Sequence, residues 1–388
     1  MKISKIEAIP FKLQQKEPFV LATVSNFDMF YVLVRIETDE GVVGYGEATP
    51  AWEVTGETWE SVVACVRLLT ARELIPFSLL GQEIRTLEQV EQLVEAINPL
   101  RGLPLVAANP SAKAAVEQAL FDAYGKHVGK PIYALYGVRN RPIPFADTIG
   151  VHTVDETLSR VRIAIGRASV DATVRLKIGI KDSGGLNGYE RDIQVIRQAR
   201  EMIRLSGKAI RLVADANQGF IDAATAADFC QQIDGCLDWL EQPILARDLL
   251  GFREIRRRTA VPLMADESVH SYEDAELLLA LGGIDYLNVK LMKTGGLLPA
   301  LRIIDRAAEY GVRCQIGSML ESALGVSMGC HAYLLRPAVI NTGLSSFHML
   351  KANVGTGLSI RDDLIWLSSD PGTGIRVDEE AVARCRVG

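Results

Sequence analysis

The chain has 388 residues, 48% hydrophobic and 23% charged, the balance of a soluble globular protein with a sizeable core. At roughly 150 residues per domain that length holds two or three domains, or fewer if one is a barrel of ~250 residues. Lys and Arg total 42 against 48 Asp and Glu, a formal charge of −6. This argues against a nucleic-acid binder relying on a general positive field, though not against a local basic patch.

The N-terminus, MKISKIEAIPF, alternates like a strand and lacks the apolar core of a signal peptide. The most apolar later stretch, ALGVSMGCHAYLLRPAVI, is interrupted by His331 and Arg336 and reads as a buried helix, not a membrane span. Cys65, Cys230, Cys236, Cys314, Cys330 and Cys385 form no CxxC pair, so reduced thiols in a cytoplasmic protein are the expectation.

In chain order, ISKIEAIPFKL and FYVLVRIETDEGVVGYGEA alternate as strands. The polar and aromatic stretch between them, QQKEPFVLATVSNFDM, predicts a meander with a loop long enough to be functional. A second loop, ATPAWEVTGET, precedes three segments of helical period, SVVACVRLLTARELI, LEQVEQLVEAI and SAKAAVEQALFDAYGKHV. Residues 1–130 are therefore expected to form an α+β domain.

From about Pro142, short β-rich runs alternate with amphipathic helices. The runs are PFADTIGV, ATVRLKIGI, IRLVADAN, CLDWLEQP, VPLMADES, YLNVKLMK, VRCQIGS and AVINTG. Eight strands in this rhythm predict a parallel α/β barrel over 131–354. A doubly wound open sheet is the alternative, disfavoured because Gly44-Tyr45-Gly46 lacks the third glycine of a dinucleotide turn. The tail, 355–388, carries a further β-like stretch, LIWLSSDPGTGIRVD, expected to pack back on the first domain.

Catalytic groups of such barrels project from the C-terminal strand ends. Here those ends carry Lys177, then Asp215 and Asn217, Glu241, Asp266 and Glu267, and Lys290. A single Asp at such a place is commonly a helix N-cap, and a single Lys a solvated rim charge. Three carboxylates on successive strands, flanked by a lysine on either side, would repel one another without a cation. Hard oxygen ligands suit Mg²⁺ or Mn²⁺, not zinc.

The ordered motifs ADAN, LEQP, ADES and NVKLMKTGG, preceded by AKAAVEQALFDAYGKHVGKPIYALYG, resemble the enolase superfamily. Within it, the chain is similar to the muconate-lactonizing enzyme subgroup over essentially its whole length. The resemblance implies a (β/α)7β barrel capped by an α+β domain that the C-terminal tail completes. It implies Asp215, Glu241 and Asp266 as ligands of Mg²⁺, with Mn²⁺ possible, and Asn217 and Glu267 as polar support. Lys177 and Lys290 become an acid/base pair on opposite faces of a small-molecule carboxylate. The shared first step is removal of the proton α to that carboxylate, with a divalent cation stabilising the charge that develops. A homo-oligomer is also implied; no nucleic-acid or membrane partner is expected.

The subgroup spans dipeptide epimerases, N-acylamino acid racemases, o-succinylbenzoate synthases and muconate cycloisomerases. The stretches EATPAWEVTGETWES, NVKLMKTGG and GSMLES resemble the dipeptide epimerases most. Two positions depart from the pattern. Arg175-Leu176-Lys177 stands where the family has Lys-x-Lys, leaving Arg175 as a charge that can touch the substrate carboxylate but cannot act as a base. Gly343-Leu344-Ser345 stands where dipeptide epimerases carry Asp-x-Asp around a free ammonium group. The expected activity is a Mg²⁺-dependent, two-lysine racemase or epimerase of a dipeptide or N-acyl amino acid. Cycloisomerisation or syn-elimination is the alternative, and a catalytically silent metal-binding barrel a more distant one.

His270 and His348 read as solvated or hydrogen-bonded loop residues, and no His–Asp pair of the mandelate racemase kind is evident. Ser318 and Glu321 follow the seventh strand and either reach substrate or cap a helix. Phe19, Phe27 and Trp52 lie in the two loops expected to close over the barrel mouth, as specificity residues or as interdomain packing. Asp215, Glu241, Asp266 and Glu267 against Lys177 and Lys290 give the expected site a charge of 2 − 4 = −2.

Overall fold

The computed structural model describes residues 1–20, 25–70, 78–97, 108–168, 171–179 and 188–388. Strands β1 (Ile3–Val20), β2 (Ser25–Thr38) and β3 (Val43–Ala48) form an antiparallel sheet in chain order. Alternation buries Phe11 and Tyr31, whose rings stack with centroids 5.2 Å apart. Pairing of β1 with β2 continues to Val20↔Ser25, so much of the polar stretch expected as a loop is the far half of a hairpin. Its polar composition hides the strand period, but backbone pairing does not depend on side chains. Lys351 N also donates to Gln14 O at 2.9 Å, tying the hairpin to the chain beyond the last barrel strand. The side chains of Phe19 and Phe27 lie outside the described residues.

Helices α1 (Trp59–Thr70) and α3 (Pro110–Val128) pack on this sheet, and α2 (Leu87–Ile97) packs on α3. Pro110 opens α3 at a position where no N–H is needed, and Gly129, at φ 69°, closes it in the left-handed region. The Gly44-Tyr45-Gly46 pattern has a packing cause: a Cβ on Gly44 or Gly46 would collide with Ala119 O or Ala115 O of α3.

After a two-residue strand β4 (Ile143–Pro144), eight parallel strands follow. They are β5 (Ala146–Ile149), β6 (Thr173–Lys177), β7 (Arg211–Asp215), β8 (Trp239–Glu241), β9 (Leu263–Ala265), β10 (Tyr286–Val289), β11 (Arg313–Ile316) and β12 (Val339–Thr342). Their spatial order is their chain order, and a helix separates each from the next. The result is a (β/α)7β barrel, with β5 and β12 at the ends of the hydrogen-bonded order. Thr342 Oγ1 bridges that seam by donating to Pro144 O of β4 at 2.7 Å. Thr153, Asp222, Asp248, Ser271 and Ser322 cap the following helices by accepting backbone N–H groups. Five of the seven βα loops therefore end at a side-chain cap.

Val213, Trp239, Met264 and Tyr286 form a buried apolar cluster from β7 to β10, the first three on the face that carries Asp215, Glu241 and Asp266, one level deeper in the barrel. The helix Ala323–Leu335 is buried at every position, as its apolar sequence predicts. No helix among the described residues is long and apolar enough to cross a membrane, and all six cysteines are free.

The tail divides. Strand β13 (Gly355–Thr356) precedes β14 (Leu358–Arg361), which pairs with β15 (Leu364–Leu367); β15 also pairs with β4. Further on, Thr373 N donates to Asp122 Oδ1 of α3 at 2.8 Å, and Val387 N to Pro10 O of β1 at 3.0 Å. The LIWL run thus lies at the barrel entry, and only later residues return to the first sheet.

Candidate active site

Parallel register sets the heights of the strand-end side chains. Lys177 pairs with Asp215, and Asp215 with Glu241, so three charged groups share one level on β6, β7 and β8. Asp266 follows β9 directly and Lys290 follows β10, which extends the series over five neighbouring strands. Arg175 lies two residues before Lys177 and shares its face, one level deeper.

Asp215, Glu241 and Asp266 are buried, and each offers an oxygen within 4.8 Å of the others. At that spacing each pair of carboxylates repels by about 3–4 kcal/mol at an effective dielectric of about 20. Four cations offset this. Lys177 Nζ donates to Asp215 Oδ2 at 2.6 Å and to Asn217 Oδ1 at 2.8 Å. Arg175 Nη2 lies 3.4 Å from Glu241 Oε2. Lys290 Nζ stands 2.8 Å from Asp266 Oδ2, and Lys293 Nζ 2.5 Å from Asp266 Oδ1. Asn217 Nδ2 in turn donates to Glu267 Oε1 at 3.0 Å, and Asn288 Nδ2 to Glu241 Oε1 at 2.6 Å.

With Arg175 and Lys293 included, the site's formal charge is 4 − 4 = 0, not −2. The acidity of the chain therefore lies outside it. Titration is far from ordinary. Burial, against the pull of Arg175, pushes Glu241 up to about 8, with Asp215 and Asp266 adding to the rise. Burial and the charge of Asp266 push Glu267 up to about 7. Asp266 goes the other way: burial is outweighed by Lys290 and Lys293, which hold it well below the carboxylate range. Lys290 is raised although desolvation opposes it, because Asp266 and Glu267 favour its charged form.

The residues fit a hard divalent cation. All three groups are carboxylates, and the buried Glu241 Oε2 makes no hydrogen bond, meeting only Arg175 Nη2 at 3.4 Å. Backbone strain gathers here too. Asn217, Gln218 and Gln242 have φ of 41°, 66° and 34°, at the ends of β7 and β8.

The remaining expected residues scatter around this centre. Ser318 Oγ donates to Gly343 O at 2.7 Å, which links the ends of β11 and β12. Glu321 is buried, accepts Met319 N at 2.6 Å, and is pushed up to about 7 by burial. Trp52 is 67% exposed in the loop after β3. His270 is a hydrogen-bonded loop residue, its Nε2 3.0 Å from Val54 O of that same loop. His348 lines a cavity of about 490 Å³ near the seam between β5 and β12, together with Lys16, Thr148, Arg160 and Ser345.

Two family descriptions cover most of the chain: "Mandelate racemase / muconate lactonizing enzyme, N-terminal domain" over residues 5–137 and "Enolase C-terminal domain-like" over 152–381. The chain belongs to the enolase superfamily. Among superfamily members, N-succinyl-L-Arg/Lys racemase of Bacillus cereus is 29% identical over 100% of this chain and 98% of its own length. The crystal structure of that racemase superposes with a TM-score of 0.88, covering 100% of this chain and 99% of the other. L-Ala-D/L-Glu epimerase of Clostridium acetobutylicum is 32% identical over 93% of this chain and 94% of its own. A dipeptide epimerase of Enterococcus faecalis, solved with Mg and the dipeptide L-Leu-L-Tyr, has a TM-score of 0.81 at 27% identity, covering 97% of this chain and 99% of that one.

Within this superfamily fold, sequence reasoning passed over Lys293 and Asn288, both buried against the proposed ligands. Lys293 stands inside NVKLMKTGG, three residues beyond Lys290 on the short helix Leu291–Thr294. Its only signal was a second lysine one helical turn from the first.

Proposed function

We propose that this chain is a divalent-metal-dependent racemase or epimerase that removes and returns the proton α to a carboxylate. The observation that carries the reading is the placement of two lysines. Lys177 ends β6 and Lys290 follows β10, four strands apart in an eight-stranded barrel, with the three carboxylates between them. A substrate held between two such groups meets one ammonium or amine on each face. One lysine takes the α-proton and the other delivers a proton to the opposite face, which inverts the centre. Their side chains are 10% and 14% exposed, against 1% or less for the carboxylates, so the lysines are the groups a substrate can reach.

Asp215, Glu241 and Asp266 would hold the cation, Mg²⁺ by kinship and Mn²⁺ by ligand chemistry. Bound there, it supplies two positive charges against the two negative charges a carboxylate bears once its α-proton has left. Arg175 Nε makes no hydrogen bond and Nη2 has only the 3.4 Å ion-pair contact with Glu241, so the guanidinium keeps donors for a substrate oxygen. Asn217 fixes Lys177 against Glu267, while Ser318 and Glu321 border the far side. Side-chain selectivity is assigned to Trp52 and to the hairpin that carries Phe19 and Phe27.

Relatives named for N-succinyl amino acids and for dipeptides support both substrate classes. The end of β12 favours an N-acylated nitrogen. Leu344 turns into the barrel shell, where a Cβ on Gly329 would meet its Cδ2 at 2.6 Å. Beside Gly343 the nearby ionic group is a cation, Arg175 Nη1, 3.2 Å from where a Cβ would stand. A free α-ammonium would meet repulsion there.

The test is α-deuteration in D₂O with Mg²⁺ and a library of N-acyl amino acids and dipeptides, read by mass spectrometry and chiral chromatography. Exchange with inversion is the expected result. Ring closure or loss of water from the substrate would favour cycloisomerisation or syn-elimination. No exchange across the library, with metal bound, would leave a catalytically silent barrel.

A further inference from the structure

We propose that Tyr31 and Glu47, both on the first domain's sheet, are positioning residues that hold the loop after β11 in the shape its substrate-facing groups require. The inference rests on the proposed function, because Ser318 and Glu321 of that loop border the site.

The loop runs from Gly317 to Ser322 and enters the buried helix Ala323–Leu335. In its middle Leu320 has φ 68°, the left-handed region that a branched side chain avoids. Such a conformation persists only where surrounding contacts impose it. The contacts come from the other domain. Tyr31 Oη donates to Leu320 O at 2.9 Å, and Tyr31 is fully buried. Glu47, also fully buried, accepts Ser322 N at 2.8 Å and the Ser322 hydroxyl.

Gln118 of α3 supports the same junction. Its Oε1 accepts Glu47 N at 2.9 Å, and its Nε2 donates to Leu324 O at 2.6 Å. A Cβ on Gly325 would lie 2.7 Å from both Glu47 Oε1 and Glu321 Cβ, so this glycine lets the two acids approach one backbone position. On the barrel side, Ser346 Oγ donates to Glu321 O at 2.8 Å. The loop is thus clamped between the first domain and the end of β12. Neither Tyr31 nor Glu47 hydrogen-bonds to the carboxylate–lysine centre; both act on it through the loop.

The network differs from an ordinary domain contact because it fixes a strained residue one position from Glu321. If the Tyr31 hydroxyl imposes that shape, removing it relaxes Leu320 and turns Glu321. A misplacement of about 1 Å at a reacting centre costs up to about 100-fold in rate.

The test uses the full chain with Mg²⁺ and compares wild type, Tyr31→Phe, Glu47→Gln and Tyr31→Phe/Leu320→Gly. The expected result for Tyr31→Phe is a fall in kcat of about 10- to 100-fold, with KM and calorimetric Mg²⁺ affinity unchanged. Glu47→Gln shifts kcat the same way. Adding Leu320→Gly restores turnover, since glycine takes that φ without a hydroxyl to hold it. Hydrogen exchange of the amides of Met319 to Ser322 quickens in Tyr31→Phe while that of β11 does not. Unchanged kcat and unchanged amide exchange would overturn the proposal. So would a loss that Leu320→Gly leaves in place while KM rises. Should the wild type turn over no carboxylate, the functional reading fails; amide exchange then decides alone, and equal exchange in wild type and Tyr31→Phe overturns the anchoring.

Discussion

Lys293 Nζ lies 2.5 Å from Asp266 Oδ1, and neither side chain reaches solvent. Lys293 also donates to Asp266 O, so one ammonium grips both the backbone and the carboxylate of the same residue. Burial lowers the pKa of Lys293 and the neighbouring Lys290 adds to that, while Asp266 opposes both. Removing Lys293 leaves Asp266 with Lys290 as its remaining cation. Lys293→Met should therefore destabilise the metal-free protein, by less than the about 3–5 kcal/mol of a wholly unpaired buried charge. The loss should shrink when Mg²⁺ is added, because Asp266 regains a second cation. Urea unfolding with and without Mg²⁺ checks this; an equal loss in both would mean that Lys293 does not share Asp266 with a metal.

Stability should also depend on pH through buried acids that are not among the barrel's strand-end carboxylates. Burial pushes Glu117 up to about 8 although it accepts the amides of Leu297 and Leu298. The folded protein keeps this proton where the unfolded chain has lost it. From about pH 4.5 to about 8 the native state binds more protons, so stability falls as pH rises, then levels. Glu57, pushed up to about 7 by burial, acts in the same direction. Asp266, held low, acts oppositely, and only below about pH 4. Glu117→Gln should flatten the decline between about pH 5 and 8 in urea unfolding. Parallel profiles for wild type and variant would contradict the shift.

Much of this was legible in the sequence, for identifiable reasons. Parallel strands buried on both faces read as apolar runs, so the stops at Asp215, Glu241 and Lys290 stood out. Lys293 did not, because a lysine one turn along a helix looks solvated until a strand brings Asp266 against it. Tyr31 fits an alternating strand, but its hydroxyl meets a carbonyl 289 positions away, which no local period encodes. The polar half of the β1–β2 hairpin concealed its pairing, and the partner of the LIWL run stayed hidden because β4, two residues long, carries almost no signal of its own.

Metal affinity should follow the three carboxylates. Asp215→Asn, Glu241→Gln and Asp266→Asn each remove an anionic oxygen donor, and each should weaken Mg²⁺ and Mn²⁺ binding by about 10-fold or more. Calorimetry with Mg²⁺ and electron paramagnetic resonance with Mn²⁺ provide the readouts. A chelator should abolish α-proton exchange, and either ion should restore it. Unchanged affinity in any one variant would remove that residue from the ligand set.

The central claim is that Lys177 and Lys290 serve opposite faces of one carbon. The most direct measurement is enantiomer-resolved α-deuteration in D₂O by Lys177→Ala and Lys290→Ala, with metal affinity measured alongside. Each variant should lose racemisation while retaining exchange from one enantiomer, the two variants retaining opposite ones. Normal racemisation by either variant, or exchange of both enantiomers by one lysine alone, would contradict the account.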